Sequence, residues 1–516
     1  MPFLKSLVDT GASGVLMSTI PALTPPAWAA FQTGTNPGKT GVFCFTSLDR
    51  ATRANTFVSA EHLSTTLWET ASAAGKRVVV LNLPMSYPPR PLNGCMVTGL
   101  MTPSMKSDFT WPAELKEDLL RAVPGYHIFN IEGMRDVPAP QNIPGFVAQM
   151  VDILENRVLA AEYLINAWKP DLCMVHFQTS DIIQHALWCF LDPGHKNYDS
   201  DKHKYILEHF YRQLDKSIQR VHASYTMSGP VFDTLVISDH GFEAYKYRFN
   251  LATWLYQQGL LVPDRRQQTP PWPKRLTQYL RVGRLLRFLV SQKSMAKLEQ
   301  KLDLAPDVID WRKSSVYVTA FSSEAGIYIM EQDPVRKEAI ATRIIDGVKL
   351  LKDPRTGEAI VEAVYRSHEI YHGPRLDMMP DLVVVPISNY MCNNHYRATD
   401  SLVEEIKPEV EFVVGRHHPE GIIVGNGPDI SGRTAIKADI IDVAPTVLYM
   451  LGLDVSADCD GHVIMDMFTS DFVTVRGTPR IGARGSGPEE MARPAQVYSA
   501  DDEQEIQKKL RDLGYI

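Results

Sequence analysis

The chain has 516 residues, 44% of them apolar, with 53 Lys and Arg against 60 Asp and Glu, a net charge of −7. At about 150 residues per domain this makes room for roughly three domains or one large α/β domain with insertions, and the composition is far from disordered, collagenous or disulfide-scaffold chains. The acidic balance argues against a nucleic-acid coat or a polybasic membrane binder and leaves small-molecule chemistry as the class to look for. The cysteines Cys44, Cys95, Cys173, Cys189, Cys392 and Cys459 are dispersed with no CxxC, so neither a zinc ribbon nor a disulfide framework is expected. The start, MPFLKSLVDTGASG, lacks an apolar h-region, and no run reaches the ~18 apolar residues of a membrane span. A cytoplasmic location is the expectation.

Taken in chain order, the first informative stretch is STIPALTPPAWAAFQTG, residues 18–34. Thr24 precedes two prolines and a helical apolar pattern, which predicts a helix with Thr24 as its N-cap, its oxygen facing unpaired N–H groups and the positive end of the helix dipole. An apolar run at 77–84 reads as a strand, 147–168 as a helix, and 171–177 as another strand. Directly after it, in QTSDIIQHALW (178–188), Asp181 and His185 fall at i and i+4 of a predicted helix, a spacing that lets a carboxylate and an imidazole reach one metal. A helix is predicted over 204–223, and the strand TLVIS then runs into Asp239, His240 and Gly241. Ligands of α/β sheets bind beyond the carboxyl ends of strands, so this pair is well placed; Gly241 would allow a tight turn.

Residues 262–300 break the pattern with PDRRQQTPPWPKR and a basic stretch carrying Arg281, Arg284, Arg287, Lys293 and Lys297, read as an insertion whose helix is solvated and packed on its own domain. Strands are expected again at 381–386 and 421–427. The paired His417 and His418 precede the second of these, and on an extended segment they point in opposite directions, so one is expected at the site and His418 is not expected to bind metal. His176, His195, His203 and His209 have no comparable partner pattern and read as structural or surface residues. A helix is expected over 438–452, loop composition over about 470–495, and a capped helix at the C-terminus.

Together these segments supply a hydroxyl, two carboxylates and three imidazoles at predicted element ends, and mixed His/Asp ligation suits zinc or manganese better than magnesium or calcium. The residues resemble the alkaline phosphatase superfamily, specifically its type I phosphodiesterase/nucleotide pyrophosphatase branch and the cytoplasmic phosphohydrolases within it. The resemblance runs through TIPALTPPAWAAFQTGTNPGKTGVF, LNLPMSYPPRPLNG, SDIIQH, ISDHGF, DPRTGEAIVEAVYRSHEIYHG, MPDLVVVP, HHPEGIIV and DVAPTVLYMLGL, close to the whole chain. It implies an α/β, three-layer sandwich with a mostly parallel central sheet between helices and an inserted cap: a catalytic core over 1–261 and 380–470, the insertion over 262–379, and a loop and helix over 471–516.

By the same resemblance Thr24 is the nucleophile, Asp181, His185 and His417 bind one metal, and Asp239, His240 and Thr24 bind the other, with two divalent ions, zinc first and manganese second. The implied reaction is hydrolysis of phosphate mono- or diesters, nucleotides among them, through a phospho-threonine; a mutase, a phospho-transferase or a catalytically impaired binding protein are the alternatives. No nucleic-acid polymer and no membrane span are implied, and the oligomeric state is left open. Residue 40 is Thr in GKTGVF where the family usually has His. The family's first strand, ending in a metal-binding Asp, would lie upstream of residue 1, so a gap in the sheet or an unusually exposed strand edge is expected where that strand would pair.

Overall fold

The computed structural model describes residues 1–129, 142–226, 232–262, 310, 313–320, 323–394, 396, 401–408, 413–482, 496–513 and 515. Val78–Leu81 is apolar at every position and all four residues are buried, so this strand has no solvent face. Val79 and Leu81 pack with Cys95, Val97, Leu119 and Leu164 on one side, while Val78 and Val80 pack with Met96, Trp68 and Tyr449 on the other. Apolar residues on both faces of a strand call for helices on both sides of the sheet, and that is the layering found.

The core strands form two four-stranded sheets. One has the order Thr434–Asp439, Ala12–Met17, Glu420–Asn426, Thr234–Ile237; the other Thr110–Trp111, Gly94–Val97, Val78–Leu81, Leu172–Val175. The α/β class is as expected, but the pairing is evenly mixed. Ala12–Met17 runs parallel to Thr434–Asp439, as Val78–Leu81 does to both Gly94–Val97 and Leu172–Val175. Glu420–Asn426 is antiparallel to both of its neighbours, and Gly94–Val97 to Thr110–Trp111. Leu172–Val175 and Thr234–Ile237 each end a sheet and are half-exposed along their whole length. Leu172, Met174, Leu235 and Ile237 nonetheless pack on one common apolar cluster, so the two sheet ends share a core.

A third, antiparallel sheet has the order Val316–Thr319, Ala325–Ile329, Leu382–Pro386, Val361–Arg366. Its core draws in Leu251, Trp254 and Leu255 together with Ile344 and Val348 of the Pro334–Lys349 helix. Leu382–Pro386 is one of its inner strands, so the boundary expected at residue 379 falls inside this sheet. The basic stretch from Arg281 to Lys297 lies outside the described residues.

The long helix spans Ile143–Trp168, begun by the Asn142 side chain accepting from the Gly145 N–H at 3.2 Å. The one expected over 204–223 is divided by a π-helical turn at Leu207–Tyr211 between Ser200–Ile206 and Arg212–Thr226. Ser470–Arg476 is helical where loop was expected: Thr469 caps it by accepting from the Phe472 N–H at 3.2 Å, Phe472 packs on Tyr449 and Phe468, and Gly477 at φ 78° ends it. Ala500–Leu513 forms the C-terminal helix. Among the described residues no helix is long and apolar enough to cross a membrane.

Candidate functional site

The helix Thr179–Leu191 follows the strand Leu172–Val175 after three residues and carries Asp181 in its first turn, where a carboxylate suits the helix dipole, with His185 one turn later. Thr234–Ile237 likewise ends just before Asp239 and His240. Gly415–His418 pairs antiparallel with Gly241–Ala244, placing His417 opposite Phe242. His417 is buried in the site, and the half-buried His418 turns away, its Nδ1 accepting from the Glu420 N–H at 3.2 Å. Close backbone contact, rather than a left-handed turn, explains the glycine at 241: a Cβ there would lie 2.2 Å from the Glu420 carbonyl oxygen, and one at Gly415 would lie 2.3 Å from that of Gln184.

The backbone fixes the histidines. His185 Nδ1 donates to the Gly415 carbonyl at 2.9 Å, His417 Nδ1 to that of Ala22 at 2.9 Å, and His240 Nδ1 to that of Gly241 at 3.2 Å. A carbonyl only accepts, so each Nδ1 carries the proton and each Nε2 presents a lone pair. Those lone pairs gather: His185 Nε2 and His417 Nε2 are 2.9 Å apart, and His240 stacks on His417 with ring centroids 3.6 Å apart. Asp181 Oδ1 stands 3.5 Å from Nε2 of His185, 3.3 Å from that of His417 and 3.8 Å from that of His240, and is buried without a hydrogen-bond partner.

Burial lowers His185 and His240 to about 4, and it also lowers His417. Burial tends to raise Asp181, but the imidazoles, His185 first, outweigh it and hold the carboxyl well below the usual range. At neutral pH the cluster is therefore a carboxylate facing neutral imidazoles, four acceptors with no donor among them. That set fits a divalent cation, and one ligand atom each from Asp181, His185 and His417 lie within 4.8 Å of one another.

Asp239 joins from the strand end, its Oδ2 3.4 Å from His240 Nε2. Its carboxyl is pushed up to about 7, by burial first and the charge of Asp181 second, while the Trp28 indole opposes this by hydrogen bonding.

Thr24 is placed differently from the expectation. Leu23 is the N-cap and Thr24 the first residue of Thr24–Thr33, with no side-chain capping bond. Pro25 and Pro26 have no N–H, and the Ala27 N–H already bonds the Leu23 carbonyl at 3.0 Å, so a capping hydroxyl has almost nothing to satisfy. The Thr24 hydroxyl is left beside the phenol of Tyr515, whose O–H donates to Asp181 Oδ2 at 2.5 Å. Thr24, Asp181, His185, Asp239, His240 and His417 are thereby linked through direct contacts or one intervening side chain.

Tyr515, Trp28 and His176 belong to the surroundings of the site and were not read there from sequence. Trp28 lies one helical turn beyond Thr24 and meets the His176 ring edge-on at 4.9 Å. The three have no shared spacing; only Trp28, at i+4 from Thr24, carried a signal. His203 and His209, with Nδ1 bonded to the carbonyls of Phe190 and Tyr205, stay outside the site as expected.

A comparison with curated proteins by sequence gives no match. The chain is similar in structure to phosphonoacetate hydrolase from Sinorhizobium meliloti 1021 in complex with phosphonoacetate, with a TM-score of 0.51 at 14% identity over 86% of this chain and 88% of that one. It is similar as well to human ectonucleotide pyrophosphatase/phosphodiesterase 5, with a TM-score of 0.50 at 11% identity over 91% and 94% of the two chains. The model of the type I phosphodiesterase/nucleotide pyrophosphatase family matches residues 1–419. The protein belongs to that family, and is by that membership a phosphoric ester hydrolase.

Proposed function

We propose that this hydrolase is metal-dependent and cleaves small phosphate mono- or diesters, nucleotides among them, through a phospho-threonine at Thr24. The observation that carries the reading is the convergence of four potential ligand atoms, Asp181 Oδ1 and the Nε2 atoms of His185, His240 and His417, in a buried cluster that suits a cation. Asp181, His185 and His417 would hold one ion, and Asp239, His240 and Thr24 the other. Mixed imidazole and carboxylate donors favour zinc, with manganese next. Bound there, such ions would offset charge on the phosphoryl oxygens and ease ionisation of a nearby hydroxyl.

On this reading the chain's own residues supply the nucleophile and hold the imidazoles in place. Thr24 Oγ1 forms a bond to phosphorus as the bond to the leaving alcohol breaks, and the alcohol takes up a proton. Water then attacks the same phosphorus, releasing phosphate from a monoester or the remaining phosphomonoester from a diester and restoring the hydroxyl. The carbonyl bonds at the three Nδ1 atoms keep each Nε2 aimed inward throughout. A cytoplasmic location belongs to the same reading, in line with six dispersed cysteines, none of them in a disulfide.

The test combines metal analysis with acid quenching. Two equivalents of zinc or manganese per chain and radiolabel from a phosphate-labelled ester retained on Thr24 are expected. Hydrolysis that persists in Thr24→Ala would remove the covalent route.

A further inference from the structure

The C-terminal segment is fastened to the core by polar contacts as well as apolar ones. Ile506, Leu510 and Leu513 are buried in the main cluster. Tyr498 donates to the carbonyls of Val58 and Met101 at 3.3 and 3.1 Å, and Lys509 Nζ to those of Thr102 and Pro103 at 2.5 and 3.1 Å. Beyond the helix, the Tyr515 N–H bonds the Leu510 carbonyl at 2.9 Å. These contacts deliver the Tyr515 ring, 7% exposed, between Phe45 at 5.0 Å and His185 at 5.6 Å.

The two oxygens of Asp181 divide their duties. Oδ2 accepts from the Tyr515 hydroxyl at 2.5 Å, while Oδ1 faces the three Nε2 atoms with no hydrogen-bond partner. A carboxylate free to rotate could offer either oxygen or both; one pinned through Oδ2 offers Oδ1 alone. We propose that Tyr515 is a positioning residue, which holds Asp181 as a one-oxygen ligand by bonding its other oxygen. The inference rests on the proposed metal site and adds to it a member supplied by the C-terminal tail.

Partners that orient a metal-binding side chain typically contribute about 10–100-fold to metal affinity. Tyr515→Phe keeps the ring and removes only the hydroxyl. Titrating zinc into chelator-stripped full-length protein by calorimetry, with manganese in parallel, should show affinity about 10–100-fold weaker for Tyr515→Phe than for the unaltered protein. The metal-free melting temperature should move by only a few degrees, a separation that a purely structural tyrosine would not give. A chain ending at Leu513 provides a second variant without the phenol and is expected to lose affinity to the same degree. Equal affinity in the unaltered protein and both variants overturns the inference while leaving the metal site standing; absence of metal uptake by the unaltered protein overturns both.

Discussion

Asp181 stands in the first turn of a helix and Asp239 at the end of a strand, and their surroundings treat the two carboxyl groups in opposite ways. Asp181 is met by three imidazoles and a phenol, and its carboxyl lies well below the usual range despite burial. Asp239 has His240 and Trp28, feels the negative charge of Asp181, and is pushed up to about 7. The Asp181 end thus has the protonation state a cation requires before one arrives. The Asp239 end acquires it fully only as a cation displaces its proton, so on the proposed reading the two ions bind with unequal affinity and the weaker site depends on pH.

The sharpest way to break this comparison is Asp181→Asn. It should abolish metal uptake at the stronger site and turnover with it, measured by calorimetry and steady-state assay, because an amide is a neutral and poorer ligand. Thr24→Ala comes next: turnover should vanish with the stronger metal site intact, and stability should change by less than about 1 kcal/mol, since the loss of even a true cap costs about that and Thr24 makes no capping bond.

Asp239→Asn should remove one equivalent of metal and leave the other. It also reports on pH. A carboxyl raised from 3.8 to about 7 keeps its proton longer in the folded protein, so its stabilising contribution is present below pH ~4 and is lost as pH rises through ~7. In chelator, the melting temperature of Asp239→Asn minus that of the unaltered protein should therefore grow from pH 4 to pH 8. A flat difference would show that the Asp239 carboxyl is not raised. The smallest effect is expected for Gly241→Ala, where contact with the Glu420 carbonyl should cost about 1–3 kcal/mol in denaturant unfolding without changing metal stoichiometry.

Much of this was legible in the sequence because the relevant signals are local. The apolar runs around Val78–Leu81 and Thr234–Ile237 announce strands, the i, i+4 spacing announces the Asp181–His185 face, and alternation along a strand separates His417 from His418. What was hidden depends on the third dimension. The two prolines of TPPAWAAF already show that donors a threonine cap would satisfy are missing, but whether Leu23 or Thr24 begins the helix is decided by backbone geometry, and the cap falls to Leu23. Nothing near residue 515 shows that a phenol at the far end of the chain meets Asp181. The antiparallel course of Glu420–Asn426 also escaped, since the apolar run at 421–427 carries no mark of strand direction.

The paired prolines after Thr24 have a consequence for the order of events. A helix start ordinarily grips an anion through several backbone N–H groups, but of the first three helical residues here only Thr24 has one to give. On the proposed reading the bare protein has little to hold a phosphate with, and the cation becomes the toll at the gate. Binding should be compulsorily ordered, metal before anion: inorganic phosphate should be a poor ligand of the chelated protein, and its apparent inhibition constant should fall as free zinc rises.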